Sequence, residues 1–332
     1  MAQRLIATSS EFQTTNGGKL TSAPRPADSQ RPSLRRPYKA IVVLFLEGGA
    51  DTFNMLVPLE QCSSRDLYDQ YANIRSNVAL AKSALLPITV PAGTQPCQQF
   101  GLHASLPTLK GLYDAGEAAF VSNIGALVEP VTKQQYEAKS RRLPPSLFSH
   151  NVMQRSAQNV DAQDNSATGV LGRILHALGT QSSPYKTAAY SISGKTKILE
   201  GDCSGAQPEY ISSGSGVRQL VDPDVKARLG QLLSPNSSES VFGDLWANSL
   251  LRALNSSEEL NAILTNVTLR GGEFVGNDPL SQQLEKVAKL VASRDTLAQP
   301  TERAAFFVKL GGFDTHSNIN KTLVTKFEQV FR

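Results

Sequence analysis

"RAAFFVKLGGFDTHSN", Arg303 to Asn318, is the stretch on which the fold turns. An apolar run of strand length ends in Gly-Gly, and an Asp and a His follow one residue apart. "VVLFLEGGADTFN", Val42 to Asn54, repeats the pattern near the other end: apolar run, Gly-Gly, one residue, Asp-Thr. Continuous β-branched and aromatic runs mark strands covered on both faces, as in a parallel sheet. Ligand chemistry in such sheets gathers beyond the carboxyl ends of the strands. Paired glycines there let the backbone turn sharply and approach a ligand closely. If the two strands are neighbours, Asp51 and Asp314 converge. With His316 they would make a mixed oxygen and nitrogen site suited to zinc, manganese or a similar divalent ion. The competing reading is that both aspartates only cap the helices that follow.

Outward from these turns the pattern alternates. "SLPTLKGLYDAGE" puts Leu106, Leu109 and Leu112 at helical spacing, with Gly116 as C-cap. "AAFVSNIG", Ala118 to Gly125, reads as a second strand, "TGVLGRILHALG" as a helix closed by Gly179, and "KTAAYSISG" as a third strand. "PLSQQLEKVAKLVASRDTL" is an amphipathic helix with Leu284, Val287, Leu290 and Val291 on one face. Strands alternating with helices imply parallel βαβ units. The expected fold is α/β, a doubly wound, mostly parallel sheet sandwiched by helices. Residues 129–164 read as loop and helix over the site. Residues 201–277, where Ser and Gly clusters separate "VFGDLWANSLLRAL" from "EELNAIL", read as an insertion or cap. Residues 1–38 are rich in Ser, Thr, Pro, Gln and Arg and lack an apolar core, so they read as a disordered leader before a domain at 39–332. "SLRRPYKA" resembles a twin-arginine signal, but the apolar run after it serves better as the first core strand.

Composition narrows the partners. With 332 residues, 40% of them hydrophobic and 19% charged, the chain can build a sizeable core. A net charge of +4 gives no case for nucleic acid. The longest apolar stretch, Ala40 to Leu46, is too short for a transmembrane helix. Cys62, Cys97 and Cys203 lack the close spacing of a zinc site. Cys62 and Cys97 flank one polar segment and are expected to pair, with α-carbons within about 7 Å, leaving Cys203 free. Sequons at Asn236, Asn255, Asn266 and Asn320 suit either a secreted or endomembrane glycoprotein or chance, so the compartment stays open.

The second chemical candidate is "LPPSLFSHNVMQRSAQ". Ser149-His150 starts a helix, where a hydroxyl would sit in a field that stabilises a bound anion or an alkoxide. An N-cap serine beside an incidental histidine is the plainer reading. Arg141 and Arg142 suit an anionic substrate or a solvated pair. His103 reads as structural, near a helix start, and His176 as packing or surface.

Five blocks taken in order resemble domain-of-unknown-function family 1501: "VLFLEGGADTFNMLVP", "FGLHASLPTLKGLYDAGEAAFVSNIGALVEP", "LPPSLFSHNVMQ", "GVLGRIL" and "FFVKLGGFDTH". That family is grouped with the alkaline phosphatase and sulfatase superfamily. The resemblance spans Tyr38 to Arg332. It implies an alkaline-phosphatase-like sandwich and metal-dependent hydrolysis of a small anionic phosphate or sulfate ester, with up to two divalent ions. Asp51 matches the early carboxylate ligand, Asp314 and His316 the later ligand pair, and Ser149, with His150 beside it, the nucleophile position. Met153 and Ala157 depart from the polar and aromatic residues of relatives. The superfamily's further ligands have no counterpart here, and "NINKTLVTKFEQVFR" carries an apolar face, Leu323, Phe327, Val330 and Phe331, still running where the chain ends. A chain truncated at its C-terminus and inactive as given is the expectation. The alternative is a non-catalytic secreted or surface glycoprotein that keeps the fold. A nucleotide-binding module lacks a glycine-rich phosphate loop after a strand.

Overall fold

The computed structural model describes residues 33–63, 65–164, 166–201, 208–211, 222–233, 241–269, 278–296 and 300–331. Most of the expected leader, Cys203, the Asn236 sequon and Arg332 lie outside these residues. The elements are β1 (Lys39–Leu46), β2 (Leu56–Cys62), α1 (Leu67–Arg75), β3 (Leu85–Thr89), β4 (Cys97–His103), α2 (Pro107–Asp114), α3 (Lys133–Glu137), α4 (His150–Asn159), α5 (Val170–Thr180), β5 (Thr187–Ser191), β6 (Glu209–Tyr210), α6 (Pro223–Leu232), α7 (Val241–Asn266), α8 (Pro279–Ala292), β7 (Arg303–Leu310) and α9 (Ile319–Phe331). The fold is α/β, with one parallel sheet, one antiparallel sheet and helices. No helix among the described residues is long and apolar enough to cross a membrane. The chain divides into two compact units, one running to Val43 and from Thr168 to Val308, the other Leu44–Ala167 with Lys309–Arg332. The division falls within β1 and β7.

The four-stranded sheet has the order β1-β7-β5-β6. Pairing of β5 with β7 and with β6 is parallel. Lys39 N–H donates to Glu302 O at the start of β1, and Glu47 N–H to Leu310 O just past its end, so β1 runs parallel to β7 as well. Ala304 to Val308 are all buried, as a strand flanked on both sides requires. β1 corrects the expectation of a strand covered on both faces. It is an edge strand, and Ile41 and Val42 are 49% and 45% exposed.

In the first unit, α8 starts on Asp278, whose carboxylate accepts from the N–H groups of Leu280 and Ser281, with Pro279 in the first turn. Its buried face is Leu280, Gln283, Val287 and Leu290, one residue row round from the face read off the sequence. The two helical pieces expected between 241 and 264 are one helix, α7, and its Ala247 and Leu254 pack with Leu229 and Leu233 of α6 and its cap. Residues 201–277 fall inside this unit. Helix α5 continues past Gly179 to Thr180. Residues 33–38 are tied down by Arg36, which donates to buried Glu302 (3.0 Å), to Ser183 O and to Pro184 O, and lies 3.5 Å over the Tyr185 ring.

The second unit contains a sheet that local reading missed, β2-β4-β3, antiparallel throughout. Pro58 and Pro87 sit in its two edge strands, the places where a missing N–H costs no ladder bond. Cys62 pairs with Cys97 across β2 and β4 in a disulfide with α-carbons 3.8 Å apart, as expected. Helix α1 covers this sheet, burying Tyr71 with Val57, Leu59 and Leu85. "AAFVSNIG" is corrected: it forms no strand, and Val121 and Ile124 are each 78% exposed. Its apolar, β-branched residues carry strand propensity, but no described strand pairs with it, and propensity without a partner makes no ladder.

Candidate functional site

The strand-end turns meet within the second unit. Phe313 N–H donates to Glu47 O (3.3 Å), and Lys309 Nζ bonds the Glu47 carboxylate at 2.9 Å. Each Gly-Gly pair makes room for a group of the site. Gly48 has φ +104°, and a Cβ there would lie 2.8 Å from Asp314 N. Only glycine tolerates both the conformation and the approach. The His150 ring lies on Gly49, its Cε1 3.3 Å from where a Cβ would stand. Gly312 has φ +90°, and a Cβ there would be 2.7 Å from Lys326 Nζ.

Asp314 is half exposed and stands between two imidazoles. His150 Nε2 is 3.4 Å and His316 Nε2 3.2 Å from its Oδ1. His316 sits in the turn after β7 and is almost fully exposed, whereas His150 is the first residue of α4. Ser149 is the N-cap of that helix, yet its hydroxyl makes no capping bond. Phe148 before it has φ +73° and a ring 73% exposed, in edge contact with Tyr136. A bulky residue in the left-handed region is a strained one. Arg141 pairs with Glu129, whose carboxylate also accepts from Arg142 N–H. These bonds, with the Arg142 N–H and the guanidinium of Arg141, hold the Glu129 carboxyl below its usual range.

Asp51 faces elsewhere. Its carboxylate is buried and forms an ion pair with Arg75 at the end of α1. Next along the same turn, Asn54 is fully buried. Its Nδ2 donates to Val78 O (2.9 Å) and to Asn320 Oδ1 (3.1 Å), and its Oδ1 accepts from Tyr71 OH (2.7 Å). His103 ends β4, accepts at Nδ1 from Ser105 N–H, and meets Phe327 edge to face at 5.1 Å. Burial lowers the His103 pKa, with the Asp51 charge opposing. His103 is thus buried and structural, as its setting suggested.

The structure therefore brings together Asp314, His316 and His150, with Ser149 one residue away, and commits Asp51 to Arg75. No group of three or more His, Cys, Asp or Glu side chains among the described residues is arranged to hold a metal ion. Two participants had no signal in the sequence. Arg75 is the last residue of an ordinary amphipathic helix, and Lys326 sits among the polar positions of α9. Compared with known proteins, the chain matches no family model, no curated protein and no solved structure.

Proposed function

We propose that the paired turns of the second unit form the reactive centre of a hydrolase of phosphate or sulfate esters, in an alkaline-phosphatase-like fold of the family 1501 type. The observation that carries this reading is the meeting of the two Gly-Gly-x-Asp-Thr turns, with Asp314 seated on Gly48 and flanked by two imidazoles. The resemblance also implies a divalent ion, zinc or manganese. The described side chains do not fit a two-metal shell, because Asp51 is held by Arg75 and one carboxylate oxygen serves both imidazoles. The protein's own groups are therefore assigned each role.

The first-turn N–H groups of α4 favour an anion at its start. Ser149 Oγ, free of a capping bond, attacks phosphorus or sulfur, and its proton passes to His150, which Asp314 orients and stabilises as the imidazolium. The ester oxygen leaves as the alcohol, taking that proton. Water then attacks the seryl ester with His150 as base, releasing the inorganic anion and restoring Ser149. Hydrolysis of 4-nitrophenyl phosphate and sulfate tests this, with and without zinc or manganese. Ser149→Ala should lower kcat by ~10³-fold or more. Turnover that survives Ser149→Ala sinks the nucleophile assignment.

The buried Asp51–Arg75 pair favours a second reading, a glycoprotein that keeps the fold without chemistry. The sequon residues Asn255 and Asn266 are exposed on α7. Absence of turnover and of metal binding, with a mass loss on glycosidase treatment, would select it.

A further inference from the structure

We propose that Lys326 is the anion-holding residue of this site, its ammonium taking an oxygen of a tetrahedral oxyanion, phosphate or sulfate, beside the Gly311-Gly312 turn. The inference rests on the hydrolase reading for its substrate class but stands on separate geometry. Helix α9 is pinned by Leu323 and Phe327, both buried, and this places Lys326 at the margin of the packed face. From there the side chain reaches the second Gly-Gly turn. Its Nζ and Cε lie 2.7 Å and 2.9 Å from where a Cβ on Gly312 would stand, and Nζ is 6.0 Å from the Phe313 ring. The absence of a side chain at Gly312 thus leaves room for the ammonium beside the turn.

What Lys326 lacks is a counter-charge. Among the described residues no hydrogen bond or ion pair engages its ammonium. The other lysine at this turn, Lys309, is neutralised by Glu47 at 2.9 Å, and Asp314, two residues beyond Gly312, faces the imidazoles. The ammonium has the Phe313 ring near it but no counter-ion among the described residues. An ammonium is a compact point charge well suited to phosphate oxygens. An incoming oxyanion supplies the missing partner, in the turn that carries Asp314 and His316.

Calorimetric titration of the full chain with inorganic phosphate, and separately with sulfate, tests the proposal at constant ionic strength. Lys326→Met should weaken binding by about tenfold or more. Lys321→Met, an exposed lysine on the same helix, should leave it unchanged. Gly312→Ala should weaken it as well, because its methyl group would lie 2.7 Å from the ammonium and push it away from the turn. Lys326→Met alone decides the matter if the alanine variant does not fold. Failure of the wild type to bind either anion, equal binding by Lys326→Met, or an equal loss in Lys321→Met would overturn the proposal. The two readings fail separately. Anion binding that needs Lys326 without ester turnover removes only the catalysis. Turnover with anion affinity indifferent to Lys326 removes only this inference.

Discussion

Replacing Gly48 by alanine probes the contact on which the site depends. At φ +104° any Cβ carries backbone strain, about 1–3 kcal/mol for a residue held in a sparsely populated region. A second cost arises because that Cβ would meet Asp314 N at 2.8 Å and Asp314 Cβ at 3.1 Å, mostly backbone that cannot swing aside. Forcing a methyl group into packed space costs about 1–3 kcal/mol more. Gly93 is the internal control, since it has φ +75° but nothing within 4 Å of its Cβ position. Gly93→Ala should therefore show the strain alone, and the excess of Gly48→Ala over it should be about 1–3 kcal/mol. Urea unfolding with equal m-values gives both numbers. Histidine ring NMR should in addition show His150 and His316 displaced only in Gly48→Ala, because Asp314 moves. Loss of stability equal in the two variants within about 0.5 kcal/mol, with unmoved histidine resonances, would refute the convergence of the two turns.

Arg75→Met should destabilise the protein by about 3–5 kcal/mol, because it leaves the buried Asp51 carboxylate unpaired. Adding Asp51→Asn should recover much of that loss, and a double-mutant cycle by urea unfolding reads the coupling. Removing the Cys62–Cys97 bond with a double alanine variant should cost about 3–4 kcal/mol in the chain-entropy model, measured by the same unfolding. Burial alone would push the Glu302 carboxyl up, but hydrogen bonds from Arg36 and from Lys186 N–H outweigh it and bring the pKa down to about 2. A lowered carboxyl pKa contributes stability that is complete above the unfolded value of 4.5 and lost as pH falls toward 2. Glu302→Gln should flatten that part of the pH–stability curve. His103, lowered by burial, should likewise stabilise above its usual 6.5 and lose that contribution as pH falls below it, which a His103→Gln melt series checks.

Local information was enough for several features. The run Arg303 to Leu310 is a strand to the residue, since a mostly apolar run of strand length between a loop and Gly-Gly leaves little alternative. Helices α2, α8 and α9, and the Cys62–Cys97 pair, were legible for the same reason: periodicity, caps and spacing are properties of short segments. The Gly-Gly-x-Asp-Thr repeat also marks two strand ends in the sequence itself. Partnership was not legible. "AAFVSNIG" has the propensity of a strand and no strand beside it among the described residues, while "LLPIT" and "LVPLEQC" look proline-broken and are the edges of a sheet. Ladders are made between residues far apart in the chain, so a strand's existence depends on a neighbour that no local window contains. The same holds for side chains at the site. Asp51 and Asp314 occupy equivalent places in their motifs, yet one is buried against Arg75 and the other is held between His150 and His316. The two pentapeptides differ only at Ala50 and Phe313, and that difference does not foretell either partner. Their environments come from α1, α4 and α9, elements brought to the turns only by tertiary packing.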